Sequence, residues 1–585
     1  MATATTTKSN PATLRRLGGY LLRQPLRLYG VMAATLASAG LTLAAPYLLG
    51  RALDRYIIAR QFDGFLSVCL LLLAAYALSS FVNWLQAYWL ADVAQRTVWQ
   101  LRTDLFRHLQ RLPVPFFARR THGELMSRTT NDVENVANTL NQTLVQLLSS
   151  VIMLIGSFAM MVALNGWLTL TALVTVPVIL FVSKRIGAVT KRQFRAQQEQ
   201  LGALNSFIEE NVSGQKVVTL FHQEQRALAR FGEMNGRLMK AGTTAQIYSG
   251  LMGPVMNMVG HFSYLLIAAV GGWLTLHGEA TVGVTISFIG YSEQFGRPLR
   301  DLANQFNLIQ SGVAGAERAF DIIDTPSEYE DGASRKPGPL AGRVEFRDVA
   351  FAYSPDKPIL RDVTFTAQPG QTIALVGPTG AGKTTIVNLL GRFFDITGGR
   401  ILIDGMPIDE LDRDALRRQI GIVLQDAHLF SGTIRENIRY GRLEASDEEI
   451  EAAAEKAHAH AFIAQLPRGY DTVLTPEGGN VSHGQRQLIT IARAILADPA
   501  LLILDEATSS VDTLAELRIQ EAMKTLLKGR TSFIIAHRLS TIRGADCILV
   551  IQDGRIVERG THEELLTLGG LYHELHGRQF ETVSS

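Results

Sequence analysis

Long apolar runs crowd the first 310 residues of the chain, and shorter ones are spaced through the remainder. Six stand out, at roughly 28–50, 65–91, 141–163, 167–183, 251–276 and 283–309. About 20 apolar residues carry a helix across the hydrocarbon core of a bilayer. Most of the runs reach that length, and the shortest, Trp167 to Ser183, is free of charged side chains. Six such runs predict a bundle of membrane-spanning helices rather than the core of a large soluble domain. The segments 91–140 and 184–245 read as helices that continue past the bilayer. Each is interrupted by a short turn, at Thr121–Glu124 and at Val212–Gln215. At 1.5 Å of rise per residue, ~25 extra residues project on the order of 35–40 Å, far enough to reach a separate domain.

The pattern changes after a polar, turn-rich stretch that holds Pro326, Gly332, Pro337 and Pro339. Short apolar runs at 373–376, 421–424, 501–504 and 532–536 then alternate with helical segments, which predicts buried strands of a mostly parallel α/β domain. The expected organisation is an amphipathic segment over 1–27, a membrane domain over 28–325, a linker over 326–342 and an α/β domain over 343–585. Residues 14–28 mix arginines with Leu17, Tyr20, Leu21, Leu22 and Leu26, as in a helix lying on a membrane surface. No short apolar core with a small-residue cleavage site precedes them, so a cleaved signal peptide is not expected.

Charge sets the orientation. The first 27 residues carry five Lys/Arg, 91–140 seven and 184–245 ten, against three in 51–64 and none in 164–166 or 277–282. The basic side of a membrane protein is cytoplasmic, which places both termini and everything after residue 310 inside, at the cytoplasmic membrane. Charged residues are 19% of the 585, below the roughly 25% of soluble domains. The formal net charge of +2 gives no footing for nucleic-acid binding. Cys69 and Cys547 are too few for a disulfide framework or a metal cluster.

Candidate chemistry is concentrated in the second half. Gly377-Pro-Thr379-Gly380-Ala381-Gly382-Lys383-Thr384 fits the phosphate-binding loop pattern, after a predicted strand and before a predicted helix that begins near Thr385. Glycines let successive N–H groups converge on phosphate oxygens, and the helix amino terminus favours their negative charge. Lys383 is expected to reach the β- and γ-phosphates of ATP, and the Thr384 hydroxyl to coordinate Mg2+. Leu501–Leu504 leads into Asp505, placed for Mg2+, and Glu506, placed to polarise an attacking water. Tyr353 offers a flat face for adenine. Gln425 and His537 follow predicted strands, the first suited to Mg2+ or water and the second to the γ-phosphate.

These motifs, with Val481-Ser482-His483-Gly484-Gln485-Arg486-Gln487-Leu488 and the run Asp505-Glu506-Ala-Thr-Ser-Ser-Val-Asp512, resemble a half-transporter of the ABC exporter type. The resemblance implies an all-α six-helix transmembrane domain followed by an α/β P-loop NTPase domain. It implies an ATP-driven exporter of drugs, lipids or peptides, working as a dimer by alternating access; the alternatives are a lipid flippase and, further off, an importer on the exporter fold or a nucleotide-gated regulator. Two ATP molecules would be clamped between paired nucleotide domains. Ser482, His483, Gly484 and Gln485 would face the partner's ATP, and Asp512 would sit in a loop crossing to the opposite site. Coupling segments near 121–131 and 213–224 would dock on nucleotide domains. The family's signature is normally Leu-Ser-Gly-Gly-Gln. Here Val481 and His483 depart from it, which favours a heterodimer with a second, different half-transporter over a homodimer.

The membrane half also holds polar residues. Glu293 and Arg297 are four apart in the sixth run, a spacing that favours a salt bridge between them. Asn257 and His261 share that spacing in the fifth, and Gln294 lies beside Glu293. These five are the candidate lining of a path for small hydrophobic or amphipathic cargo drawn from membrane lipid.

Overall fold

The computed structural model describes residues 11–60, 63–330, 332, 335–354, 356–475, 478–505, 513–536 and 542–580. It divides into two compact units. One comprises the chain up to Gln110 together with His122–Thr325; the other comprises Arg111–Thr121 and the chain from Pro326.

The first unit is helical. It contains α1 (Pro11–Leu21), α2 (Pro25–Ala52), α3 (Phe65–Leu109), and, after α4 (Val114–Ala118) of the second unit, α5 (His122–Ser127), α6 (Val133–Leu164), α7 (Gly166–Ser213), α8 (Gln215–Leu220), α9 (Glu224–Leu276) and α10 (Val282–Ile323). A 53-residue helix such as α9 is about 80 Å long, well beyond the ~30 Å of a hydrocarbon core, so the long helices do continue past any bilayer. Among the described residues, five helical stretches are long and apolar enough to cross a membrane: 25–58, 65–109, 122–164, 166–213 and 224–276. The expected sixth span coincides with α10, which is 42 residues long. Its first half carries Ser287, Ser292, Glu293, Gln294 and Arg297, and this polar content keeps it out of that apolar set.

The amphipathic start departs in part from expectation. The helix is α1, and its Leu17, Tyr20 and Leu21 are buried against protein rather than left for lipid. Tyr20 donates to Asp104 of α3 at 3.0 Å and stacks on Phe320 of α10, over which Arg16 also lies.

α2 and α10 are joined through backbone carbonyls. Pro46 lies inside α2. It has no N–H to give the Thr42 carbonyl one turn earlier. Gln294 of α10 supplies the missing donor, Nε2 to Thr42 O at 3.1 Å. Tyr291 donates to Leu43 O at 2.6 Å and Ser287 to Pro46 O at 2.8 Å. At the start of α10, Asp54 accepts from the Thr281 hydroxyl and from Gly283 N.

The second unit has strands β1 (Val344–Ser354), β2 (Lys357–Ala367), β3 (Thr372–Val376), β4 (Gly398–Ile403), β5 (Met406–Pro407), β6 (Ile420–Val423), β7 (Gly432–Thr433), β8 (Val473–Leu474), β9 (Leu501–Asp505), β10 (Thr531–Ile535), β11 (Cys547–Gln552) and β12 (Arg555–Gly560). Its helices are α11 (Lys383–Leu390), α12 (Arg413–Arg417), α13 (Ile434–Arg439), α14 (Asp447–Lys456), α15 (His460–Ala464), α16 (His483–Ala497), α17 (Thr513–Leu527), α18 (His562–Leu568) and α19 (Leu571–Phe580). A six-stranded sheet runs β12-β11-β3-β10-β9-β6, parallel from β11 to β6, beside an antiparallel sheet β2-β1-β4-β5. The central strands are apolar at successive positions because helices and the second sheet cover both faces.

Described residues of the expected linker 326–342 are tied to the second unit. The Glu328 side chain, only 7% exposed, forms a two-pronged pair with Arg417 at 2.7 and 3.0 Å, and Tyr329 donates to Asp414 at 2.9 Å.

Candidate nucleotide and cargo sites

Parallel strands place their carboxyl ends together, and loops leaving those ends build ligand sites. Ile535 pairs with Asp505 on one side and with Leu375 on the other, and Val423 pairs with Leu504. The phosphate-binding loop after β3, Asp505 at the end of β9 and Gln425 two residues beyond β6 therefore leave the same edge. Glu506 and Asp512 follow β9 in sequence and His537 follows β10; all three lie outside the described residues.

The loop is shaped by glycine. Gly377 (φ +153°) packs where a Cβ would overlap the Ile551 carbonyl oxygen. Gly382 (φ +111°) is the left-handed residue that opens α11, and a Cβ there would come within 2.6 Å of Leu360. Thr379, Gly380 and Thr384 are exposed, while Ala381, Lys383 and Thr385 are buried. The Lys383 ammonium donates to the carbonyls of Gly377 at 2.6 Å and Pro378 at 3.0 Å. Burial pushes its pKa down, and the nearby Asp505 carboxylate opposes that shift. Tyr353 meets Phe351 and Phe394 edge-on at 4.8 and 4.9 Å and bonds Thr385 at 3.2 Å. One part of its ring stays exposed, as a base-stacking face requires. A 660 Å³ cavity runs from Tyr353 past Phe394 to Pro115 and Arg119 around α4.

That cavity corrects the first expected coupling segment. Residues 111–121, not 121–131, belong with the nucleotide-binding unit: Glu328 N and the Ser327 hydroxyl both donate to Arg111 O. The turn beginning at His122 is instead helical and stays with the membrane helices, where Asp132 takes a two-pronged bond from Arg318. The signal missed in the sequence was the pair Pro113 and Pro115, which breaks the helix before Thr121 is reached. Within 213–224, α8 forms as expected, and Val217, Leu220 and Phe221 are exposed around it.

Ser482 caps α16. Its hydroxyl accepts from Gln485 N at 3.2 Å, and the Gln485 side chain accepts from Ser482 N at 2.9 Å. His483 is half-buried in the first turn with Nδ1 lacking a partner, and Gly484 is buried.

The five polar membrane residues do not share one lining. Asn257, His261 and Glu293 line a 460 Å³ cavity between α7, α9 and α10. Gln294 and Arg297 line a separate 210 Å³ cavity against α2 and α6. No ion pair joins Glu293 to Arg297, although both are described, so the expected salt bridge is absent. An i,i+4 pair contributes only about 0.2–0.5 kcal/mol on a helix surface, and here the two side chains line different cavities. The structure adds Thr175, Ser263 and Ser292, whose hydroxyls follow one another at 3.4 Å steps, and Tyr264, seven residues from Asn257 on the same helix.

For Mg2+, the candidate residues are all oxygen donors: the exposed Thr384 hydroxyl, the Gln425 amide and the Asp505 carboxylate. That set suits a hard cation.

Comparison with known proteins gives a consistent picture. Residues 28–299 match the ABC transporter transmembrane region and residues 360–509 match the ABC transporter family. The chain is 50% identical over 575 residues to an uncharacterized ABC transporter ATP-binding protein, YfiC, of Bacillus subtilis, covering 98% of this chain and 95% of that protein. It is 49% identical over 505 residues to the fatty acid ABC transporter ATP-binding/permease protein of Mycobacterium bovis, covering 86% and 80%. Among solved structures, a bacterial Atm1-family ABC exporter with ATP bound superimposes with a TM-score of 0.78 at 32% identity, covering 95% of this chain and 98% of that one.

Proposed function

This chain belongs to the ABC transporter family, and we propose which residues do its work and for what cargo. It is a half-transporter of the exporter arrangement, in which ATP hydrolysis drives hydrophobic or amphipathic molecules across a membrane. The observation that carries the reading is the fusion, in one chain, of long apolar helices to a glycine-shaped loop whose Lys383 stands beside Asp505.

In the proposed cycle, the loop amides from Gly377 to Thr385 and the Lys383 ammonium bind the phosphates of ATP, with adenine on Tyr353. Thr384, Gln425 and Asp505 would hold Mg2+, which would supply charge neutralisation for bound phosphate. Glu506 takes the proton of the attacking water, and His537 orients the γ-phosphate. Ser482, His483, Gly484 and Gln485 face the ATP of a second half-transporter, and Asp512 lies in the crossing loop. The α4 and α8 segments pass closure of the nucleotide units to the membrane helices; the exposed apolar side chains around α8 suit docking on the partner subunit. ATP binding turns the cargo path outward and hydrolysis resets it. The basic loops favour the cytoplasmic membrane, with both termini and the nucleotide unit inside.

Turnover measured in membranes tests these roles. Glu506→Gln should abolish hydrolysis while leaving ATP bound. Full turnover in that variant would remove Glu506 from its role.

His483 and Val481 favour a heterodimer in which Glu506 serves the stronger site. Purifying the chain alone decides the matter: a stable two-copy assembly with robust turnover overturns it. A lipid-moving role is the second reading, favoured by the relative named for fatty acids. Movement of a labelled lipid between leaflets of reconstituted vesicles, with and without ATP, distinguishes it.

A further inference from the structure

α10 begins at Val282, so Glu293 stands about 16 Å along it, near the middle of a ~30 Å hydrocarbon core. An ionisable group at that depth faces a partner or an aqueous cavity. Glu293 has no hydrogen-bond or ion-pair partner among the described residues, and it lines the 460 Å³ cavity. The lining contains no Lys or Arg; its other titratable groups are His261 and Tyr264. Arg297, the nearest cation along the helix, lines the other cavity. The same cavity is lined by Tyr264, a residue more than half exposed, and by apolar side chains that include Ile179 and Ile267. A carboxylate, an aromatic face and aliphatic walls, in a space within the 300–1,000 Å³ of small-molecule sites, are together complementary to one ligand class. The carboxylate supplies counter-charge, the ring adds a cation–π contact, and the walls take apolar substituents.

We propose that this cavity receives the charged centre of a hydrophobic organic cation, with Glu293 as its counter-charge and Tyr264 as its aromatic contact. The proposal rests on the exporter reading and names a cargo class for it. It differs from the anionic lipid that the fatty-acid relative brings to mind, for which Arg297 and its 210 Å³ cavity would be the counterpart.

The test uses the full-length protein in lipid nanodiscs without nucleotide, so that it can fail while ATP-driven turnover stands. The probes are tetraphenylphosphonium and tetraphenylborate, which share shape and differ in sign of charge. The wild-type protein should bind the cation more tightly than the anion. Glu293→Gln should weaken the cation at least tenfold, about 1.4 kcal/mol, and leave the anion unchanged. Glu293→Asp should retain most of the cation affinity, and Tyr264→Ala should lose several-fold. Should Glu293→Gln not fold, the wild-type protein still answers: tetraphenylphosphonium should shield Glu293 from dicyclohexylcarbodiimide, read by peptide mass spectrometry. Equal cation affinity in Glu293→Gln, preference of the wild-type protein for tetraphenylborate, or undiminished labelling at saturating cation would each overturn the proposal.

Discussion

The loop around Lys383 and the polar stretch of α10 both handle charge, by opposite means. In the loop the main chain does the work: glycines at positive φ set its shape, and the one charged side chain is held by the loop's own carbonyls. In α10 the backbone is an uninterrupted helix and the side chains do the work, divided by face. Ser287, Tyr291 and Gln294 spend their donors on carbonyls of α2, whereas Glu293 has no partner among the described residues. The contrast separates positions where shape is the function from positions where a single chemical group is. It also separates, within one helix, polar groups that hold the fold from one that is available to a ligand.

The largest expected effect lies in the loop. Lys383→Ala should lower ATP turnover by a hundredfold or more, the scale for loss of one charge-stabilising donor at a reacting centre. Because burial holds the Lys383 pKa down and bound phosphate would raise it, ATP binding should take up a proton on the alkaline side. Affinity should therefore fall as pH rises through the depressed pKa. Lys383→Arg, which stays charged there, should flatten that dependence. Titration of nucleotide binding against pH in both proteins checks the sign.

Next comes the close approach of α2 and α10. A Cβ at Gly283 would overlap the Gly50 carbonyl oxygen and the Asp54 carboxylate. Gly283→Leu should force the two helices apart and cost about 1–3 kcal/mol or more, read as a lowered thermal midpoint in detergent. The same substitution at Gly278, whose Cβ would meet nothing within 4 Å but whose φ is +77°, separates crowding from backbone strain.

How much of this was readable beforehand follows the same division. The loop, Asp505 and the strand ends were legible because their roles follow from local sequence between a strand and a helix. Gln294 was not. The carbonyl it serves is orphaned by Pro46, some 250 residues away, and one sequence does not reveal that adjacency. The Glu293–Arg297 spacing was legible as a pair and misleading as one, since local spacing is weaker than the packing on either side of α10. The segment that belongs with the nucleotide-binding unit lies ten residues before the expected 121–131, because Pro113 and Pro115 end the long helix ahead of Gly123. Nothing local to the expected linker marks Glu328, because its partner, Arg417, lies in a helix formed far downstream.

Gln294→Leu is expected to act next in size. It leaves Thr42 O without its replacement donor. Measured interhelical bonds of this kind average about 0.6 kcal/mol and reach about 1.7. Adding Pro46→Ala restores an N–H to α2, so the double variant should recover much of the loss. Simple additivity of the two changes would refute the assignment of Gln294 to that carbonyl.

The smallest effect separates two roles of Ser482. As the cap of α16 it is worth about 1 kcal/mol, so Ser482→Ala should lower the thermal midpoint of the nucleotide unit by about 2–4 °C. Asp caps as well as Ser does, so Ser482→Asp should leave that midpoint nearly unchanged. It would, however, place a carboxylate against the phosphates of the partner's ATP, and turnover should fall sharply. A Ser482→Asp protein that keeps both its midpoint and its turnover would mean that α16 points its first turn at something other than nucleotide, and the paired-site arrangement would lose its main support in this unit.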